Sequence, residues 1–160
     1  MPDIAASSQY SPPVALVKTG QRFAFDGTHG SSDALLIARY HLAYREKVPL
    51  LAVVCESAVD AQRLSQEISF FAPEARVRLL PDWETLPYDT FSPHQDLVSE
   101  RLATLHDLGE GRCDILLVPA TAALYRMPPA SFMAGYTFSF SQGERLNEAK
   151  LKAQLTLAGY

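Results

Sequence analysis

Short, continuous apolar runs alternate along this chain with segments whose apolar residues recur at helical spacing. The clearest runs are residues 49–55, with the sequence PLLAVVC, and residues 114–119, with the sequence DILLVP. Because neither run alternates apolar with polar residues, each is typical of a strand that is buried on both faces. Strands of this kind, separated by helices, predict an α/β fold with a parallel sheet flanked by helices.

The predicted elements follow the order βαβαβ, a loop, and then αβ. The first strand is predicted at residues 22–25, before a glycine-bearing turn, and a helix at residues 32–45 follows it. Ser57 is the predicted N-cap of the next helix, with Asp60 three residues further on. Residues 77–80 are the third predicted strand.

The third helix has a distinct start signal in Ser92-Pro93-His94-Gln95. Ser92 is the predicted N-cap, and Pro93 suits the first helical position because that position needs no hydrogen-bond donor. The helix is predicted to end at Gly109. A short helical turn is predicted after the last strand, through Leu124.

The pattern divides the chain into three predicted segments. Residues 1–15 are a flexible arm and residues 16–127 are the α/β domain. Residues 136–140 then alternate large apolar with small polar residues, as a half-exposed antiparallel strand does, and a helix capped by Asn147 follows. One strand and one helix cannot enclose a core, so residues 128–160 are expected to be the truncated beginning of a second, α+β domain.

The charge balance constrains the partners of the chain. It has 14 Lys and Arg against 18 Asp and Glu, a formal net charge of −4, which disfavours tight autonomous binding to nucleic acid. Neither a signal peptide nor an apolar run long enough for a membrane span is present, so a cytoplasmic protein without membrane contact is expected. Cys55 and Cys113 lie beside apolar runs and are expected to be reduced core residues.

Residues 27–34, the 27–34 loop, lie between a predicted strand and a predicted helix, where a phosphate-binding loop GxxxxGK[ST] would lie. Three residues have the wrong chemistry. Ser32 replaces a glycine, Asp33 replaces the lysine that meets the phosphates, and Ala34 offers no hydroxyl for Mg²⁺. The loop is therefore predicted to be a degenerate, inert version of that motif, formed by Gly27, Gly30, Ser31, Ser32, Asp33 and Ala34.

A simpler hypothesis explains the same residues. Any α/β protein can use a Gly/Ser turn to start a helix, and Asp33 would suit the positive end of the helix dipole. Both hypotheses predict no ATP hydrolysis. The strand DILLVP also ends in Pro119 and Ala120 instead of the adjacent acidic residues that a metal-dependent ATPase needs.

Residues 82–91, the aromatic loop, hold the only tryptophan of the chain together with several carboxylates. Aromatic residues often anchor interfaces, so the loop could bind a partner. Alternatively, Trp83, Leu86 and Tyr88 could fasten the loop to the sheet edge. The apolar neighbours and the flanking prolines favour a largely buried Trp83.

No group of residues stands out as catalytic or metal-binding. The 4 histidines show no HxxxH or HxxE spacing, the cysteines show no CxxC spacing, and no GxSxG motif occurs. We therefore assign no catalytic residue and no metal ligand. The isolated Arg101, Arg112 and Arg126 are expected to be solvated or ion-paired.

One long stretch resembles a known family. Residues 82–89 (DWETLPYD), continuing through residues 91–102 (FSPHQDLVSERL), are similar to the corresponding part of bacterial transcription-repair coupling factors. Residues 114–120 (DILLVPA) and 142–146 (QGERL) extend the resemblance, which covers residues 20–160.

The resemblance implies a module similar to the excision-repair protein UvrB, with a domain like the first helicase lobe (domain 1A of UvrB) and a second domain that contacts UvrA. It also implies that the 27–34 loop is a remnant of the UvrB phosphate loop. UvrB clamps damaged DNA with a tyrosine-rich hairpin. Here Asp89-Thr90-Phe91 passes straight into the predicted Ser92 helix, so this clamp is absent.

The function implied is a non-catalytic scaffold within a factor that releases RNA polymerase stalled at DNA lesions and recruits the UvrA-containing excision machinery. UvrA would bind through the second domain, mostly beyond Tyr160. RNA polymerase and DNA would bind other domains, and ATP and Mg²⁺ would belong to a motor outside this chain, so no cofactor is expected here. The alternative is a nucleotide-binding helicase lobe with residual ATP binding. An unrelated α/β enzyme is disfavoured because no nucleophile, base and orienting residue are found together.

Overall fold

The computed structural model describes residues 15–25, 27–85, 90–136, 142–143 and 145–157. The chain divides into two compact units, with Tyr125 the last residue of the first unit and Arg126 the first residue of the second. The first unit contains the sheet. The described part of the second unit contains two helices, α5 (Ala130–Tyr136) and α6 (Glu148–Leu157).

The first unit is an α/β layer structure. Its described strands are β1 (Leu51–Cys55), β2 (Val77–Leu79) and β3 (Ile115–Pro119), which form an open parallel sheet in the order β1-β3-β2. Four helices accompany them: α1 (Ser32–Tyr44), α2 (Ala58–Phe71), α3 (Gln95–Gly109) and α4 (Ala120–Ala123). The predicted α/β class, with a parallel sheet flanked by helices, is confirmed.

The central strand β3 is buried along its whole length. Its Ile115 pairs with Leu51 of β1 on one side and with Val77 of β2 on the other. Because neighbouring side chains of a strand point to opposite faces, full burial means that both faces of β3 are covered. The prediction of a doubly buried strand at DILLVP is confirmed.

Two separate apolar clusters cover the two faces of β3. On one face, side chains of α1, α2 and the sheet join in a cluster of Ala34, Cys55, Ala61, Leu64, Ile68, Ile115 and Leu117. On the other face, Leu105 and Leu108 of α3 pack against a cluster of Leu80, Cys113, Leu116, Val118 and Ala122. The core therefore lies on both sides of β3.

The edge strand β1 differs from its prediction. Its Leu51 and Val53 pack against the first cluster, but Ala52 is exposed and Val54 is 66% exposed. The run PLLAVVC was expected to be buried on both faces, and that expectation is wrong for β1. Helices α1 and α2 pack on the face that holds Leu51 and Val53, while Ala52 and Val54 on the other face stay exposed.

Local capping residues set the starts of two helices as predicted. The Ser57 hydroxyl accepts a hydrogen bond from the Asp60 N–H at 3.1 Å, and the Asn147 side chain accepts one from the Lys150 N–H at 3.0 Å. Each bond satisfies a first-turn donor that the helix itself leaves open.

The start of α3 was predicted two residues too early. The observed N-cap is His94, whose ring nitrogen Nδ1 accepts a hydrogen bond from the Asp96 N–H at 3.3 Å. His94 has extended backbone, with φ −60° and ψ 137°, so the helix cannot continue back to Pro93 or to Ser92.

One predicted strand is wrong, and a second is wrong at its first residue. Residues 22–25 form no strand, because none of the described strands pairs with them, and Phe23 and Phe25 remain about half exposed. Tyr136 ends helix α5, which starts where the N–H groups of Phe132 and Met133 donate to the carbonyl oxygen of Pro129. The other residues of that predicted strand, 137–140, lie outside the described residues.

Candidate functional site

The 27–34 loop ends in the first turn of α1, beside the carboxyl end of β1. Ala34 of α1 and Cys55 at the end of β1 belong to the same buried cluster. In open α/β sheets, ligands bind outside the carboxyl ends of the strands. The loop therefore lies where a nucleotide site would be sought, although no strand precedes it among the residues that the structure describes.

Two glycines shape the loop. Gly27 has φ 74° and Gly30 has φ 57°, a left-handed backbone conformation that residues with a Cβ atom rarely adopt. The remaining described residues of the turn, from Thr28 to Ser31, are exposed. These glycines give the turn its shape, as either sequence hypothesis requires.

The chain itself satisfies backbone donors at the start of α1. The Ser32 N–H and the Ser32 hydroxyl both donate to the His29 carbonyl oxygen, at 3.3 and 2.8 Å. The Ala34 N–H donates to Oδ1 of Asp33 at 2.7 Å. A phosphate bound at the start of α1 would need such groups as its own hydrogen-bond donors.

Asp33 forms a paired contact with Arg63 on α2. Nη2 of Arg63 lies 2.8 Å from Oδ2 of Asp33, and Nη1 lies 3.3 Å from Oδ1. Arg63 also contacts Glu67 at 2.8 Å. The hydrogen bond from Arg63 lowers the pKa of Asp33 below its usual value, so this carboxylate stays charged at neutral pH.

Ala34 is fully buried, with 0% of its surface exposed. A hydroxyl side chain at this position would enter the apolar cluster with Leu64 and Ile68. Burying a hydroxyl without a hydrogen-bond partner is unfavourable. The position that holds a Mg²⁺ ligand in a phosphate-binding loop is here part of the core.

The described part of the aromatic loop is organised around Arg101 of α3. The guanidinium carbon lies 4.8 Å from the centroid of the Trp83 ring, and Nη1 donates to the Pro81 carbonyl oxygen at 2.7 Å. Trp83 is half-buried, so the prediction of a largely buried indole is met only in part. Leu86 and Tyr88, its predicted neighbours, lie outside the described residues.

The environment of Arg101 was predicted wrongly. The side chain is 3% exposed and forms no ion pair with any described residue. Arg112, in contrast, is ion-paired with Asp107 at 3.0 Å as expected, and Arg126 is exposed. A sequence signal did exist: Arg101 shares the spacing of Thr104, Leu105 and Leu108, which form the buried side of α3.

The loop has a further anchor on the segment after α4. The Tyr125 hydroxyl donates to the Thr85 carbonyl oxygen at 3.4 Å. Glu84, between Trp83 and Thr85, has φ 55°, a conformation that is uncommon for residues other than glycine.

Other candidate residues behave as core or surface groups. Cys55 and Cys113 are buried thiols, and burial raises the pKa of each, so neither is an activated nucleophile. Within the described ranges, no three His, Cys, Asp or Glu side chains come together as metal ligands would.

Comparison with known proteins shows clear relatives. The transcription-repair-coupling factor of Escherichia coli is 39% identical over 144 residues, which is 90% of this chain and 12% of that protein. The protein of the same name from Haemophilus influenzae is 37% identical over 129 residues, or 81% of the chain and 11% of the relative. The one from Myxococcus xanthus is 36% identical over 154 residues, or 90% and 12%.

The chain belongs to the transcription-repair-coupling factor family. It matches an N-terminal fragment of these relatives and spans only 11–12% of their length. No protein-family model matches the sequence. Among the described helices, none combines the length and the apolar character that a membrane span requires.

Proposed function

We propose that this chain is a non-catalytic scaffold segment of a transcription-repair-coupling factor. In this proposal the factor releases RNA polymerase stalled at DNA lesions in the cytoplasm and recruits the UvrA-containing excision machinery. The family membership supports the general role. The scaffold role rests on the chemistry of the 27–34 loop.

The observation that carries the proposal is the engagement of Asp33. Its carboxylate accepts hydrogen bonds from Arg63 and from the N–H of Ala34. A nucleotide phosphate would have to approach this negative charge and displace contacts that the chain makes with itself. The residues present therefore do not fit ATP or Mg²⁺, and we propose that both belong to a motor elsewhere in the full-length protein.

We further propose that the first unit is a UvrB-like first helicase lobe whose phosphate loop has degenerated. The position of the loop beside the carboxyl end of β1 and the left-handed Gly27 and Gly30 support this origin. The same two glycines favour the second candidate function, a nucleotide-binding lobe with residual ATP affinity.

Calorimetric titration with Mg-ATP separates the two candidates. We expect no saturable binding by the parent chain. The Asp33→Asn variant is measured beside the parent to isolate the effect of the charge, because it removes the negative charge at position 33 and keeps a side chain of similar size. A dissociation constant in the low micromolar range for the parent would contradict the proposal and favour the nucleotide-binding lobe.

The proposed partners are UvrA, through the second domain and mostly beyond Tyr160, and RNA polymerase and DNA, through other domains. A pull-down with purified UvrA tests the first of these. We expect capture by a version of the protein extended through the whole second domain, and weaker or no capture by residues 1–160. If the extended version is not retained, UvrA recruitment by this region is wrong.

A further inference from the structure

Arg101 is a buried charge without a carboxylate partner among the described residues. A guanidinium stays protonated at every pH that a folded protein experiences, and fully buried arginines are almost always paired. Here the side chain is 3% exposed, and its only hydrogen bond among the described residues runs from Nη1 to the Pro81 carbonyl oxygen. The other terminal nitrogen, Nη2, is buried and has no partner in the described structure.

Asp82, the one described carboxylate whose field acts on Arg101, does not neutralise this charge by contact. Asp82 acts on Arg101 only through its electrostatic field, and Oδ1 of Asp82 accepts the backbone N–H of Trp83 at 2.8 Å. Burial lowers the pKa of Arg101, which reflects a cost of keeping the charge away from water. A group that supplied a negative charge to Nη2 would remove part of that cost.

Trp83 packs against the guanidinium of Arg101. Its ring lies 4.8 Å from the guanidinium carbon, and the indole is half-buried, so part of it faces solvent. Glu84 follows it in a left-handed conformation that carries strain for a residue with a side chain. A ligand that reaches Nη2 would have to displace a neighbouring group such as the indole, and relief of the strain at Glu84 would favour such a movement.

We propose that Trp83 and Arg101 form a docking point for a polypeptide segment that carries a carboxylate next to an apolar side chain. The carboxylate pairs with Nη2 of Arg101, and the apolar side chain stacks on the indole. Tryptophan and arginine are the residues that most often dominate the binding energy of protein interfaces.

The surrounding charges select against a polyanion. Asp82, Glu84 and Glu100 lie next to the site in sequence, Glu84 and Glu100 are exposed, and the whole chain carries a formal net charge of −4. A nucleic acid would meet several of these carboxylates at once, whereas a single side-chain carboxylate needs to approach only the guanidinium. The favoured ligand is therefore a peptide with one acidic residue flanked by apolar residues.

A fluorescence titration tests the docking point directly, because Trp83 is the only tryptophan of the chain. The probes are a short capped peptide with the sequence Leu-Glu-Leu and a matched peptide with Gln in place of Glu. We expect saturable quenching or a spectral shift with the Glu peptide, with a dissociation constant between about 10 μM and 1 mM. The Gln peptide should bind at least about tenfold more weakly, since it loses the charge-assisted bond.

Two variants separate docking from a purely structural role. Arg101→Met keeps an apolar side chain of comparable length and should abolish the preference for the Glu peptide. Trp83→Phe, followed by NMR chemical shifts, should weaken binding of both peptides and keep the preference. The matched control is Arg112→Met, because Arg112 is paired with Asp107 at the other end of α3 and should not affect binding.

Several outcomes overturn the proposal. These are no saturable binding of the Glu peptide up to about 1 mM, equal affinity for the Glu and Gln peptides, or an unchanged preference in Arg101→Met. Binding of a single-stranded oligonucleotide that Arg101→Met abolishes would point instead to a nucleic-acid ligand and would also overturn it. The site shares no residue with the 27–34 loop, so these results leave the Mg-ATP test unaffected.

Discussion

Arg63 of α2 holds the carboxylate of Asp33 across the start of α1, with nitrogen–oxygen distances of 2.8 and 3.3 Å. The contact joins two helices that pack on the same face of the sheet. The first turn of α1 also holds a negative charge of its own, because the Asp33 carboxylate accepts a hydrogen bond from the Ala34 N–H. The position that corresponds in spacing to the lysine of a phosphate-binding loop therefore makes a structural contact in this chain.

Reversing the charge at this contact should not restore a nucleotide site. In Ser32→Gly/Asp33→Lys, the new ammonium would face Arg63, and the two positive charges repel. We expect a transition temperature lower by a few degrees and no saturable Mg-ATP binding. The triple variant that adds Arg63→Gln removes the repulsion and should recover the transition temperature. Restored Mg-ATP binding in either variant would contradict this expectation and would show that the residues at positions 32 and 33 block the site.

Completing the motif with a hydroxyl should destabilise the core. Ala34→Thr adds a buried polar group and extra volume beside Leu64 and Ile68. We expect a loss of about 1–3 kcal/mol in the free energy of unfolding, measured by urea denaturation. The control is Ala103→Thr on α3, where the side chain is exposed, and the change there should stay within about 0.7 kcal/mol. Equal losses in the two variants would mean that helix propensity, and not burial, sets the effect.

The sequence predicted those features that depend on local signals. Continuous apolar runs identified β1 and β3, and a side-chain oxygen before an apolar helix identified the Ser57 cap. The sequence did not predict which strands pair with each other. Residues 22–25 have strand-like composition, but none of the described strands pairs with them, and Val54 lies on an edge strand. Pairing and edge position arise from long-range contacts that a local pattern does not contain.

The candidate sites show the same difference between local features, which a sequence pattern can indicate, and long-range contacts, which it cannot. Spacing alone matched Ser32, Asp33 and Ala34 to the positions of a phosphate-binding loop, and a degenerate loop stays a prediction. The contact between Asp33 and Arg63 joins residues that are 30 positions apart in the sequence, so no local pattern predicts it. The burial of Arg101 was not predicted for a different reason. Its charge indicates an exposed side chain, whereas its spacing from Thr104 and Leu108 places it on the buried face of α3.

Burial at the centre and exposure at the edge of the sheet should give very different mutational costs. Leu117→Ala removes a fully buried side chain from β3, and we expect a loss of about 2–5 kcal/mol in the free energy of unfolding. Val54→Ala on β1, where the side chain is 66% exposed, should cost less than about 1 kcal/mol. Chemical denaturation of both variants measures the difference. A cost at Val54 equal to that at Leu117 would show that the second face of β1 is covered in solution.

His41 should make the stability of the first unit depend on pH. The side chain is 6% exposed, and burial lowers its pKa below the ordinary value of 6.5, with Arg45 acting in the same direction and Asp114 in the opposite one. The unfolded chain therefore binds a proton more readily than the folded chain. The stabilising effect is complete above pH 6.5 and is lost as the pH falls through the lower, folded-state pKa.

Denaturation between about pH 7.5 and pH 5.5 measures this effect, and the free energy of unfolding should fall as the pH is lowered through that range. His41→Gln should flatten the dependence in that range. The exposed His29→Gln is the matched control and should retain the slope of the parent. If His41→Gln retains that slope as well, the pH dependence arises from other groups.

Truncation of Trp83 should cost less than truncation of a core tryptophan but more than loss of a surface residue. The indole is half-buried, and it covers the guanidinium of Arg101 at 4.8 Å. Trp83→Ala removes part of the apolar burial and the cation–π contact, and it lets water reach a charge that remains bonded to the Pro81 carbonyl oxygen. Hydration of that charge offsets some of the loss, so we expect a decrease of about 1–3 kcal/mol in the free energy of unfolding. Trp83→Phe retains a ring over Arg101 and should lose less than half as much. A shift of the thermal midpoint below about 2 °C for Trp83→Ala would mean that the indole contributes almost nothing to folding.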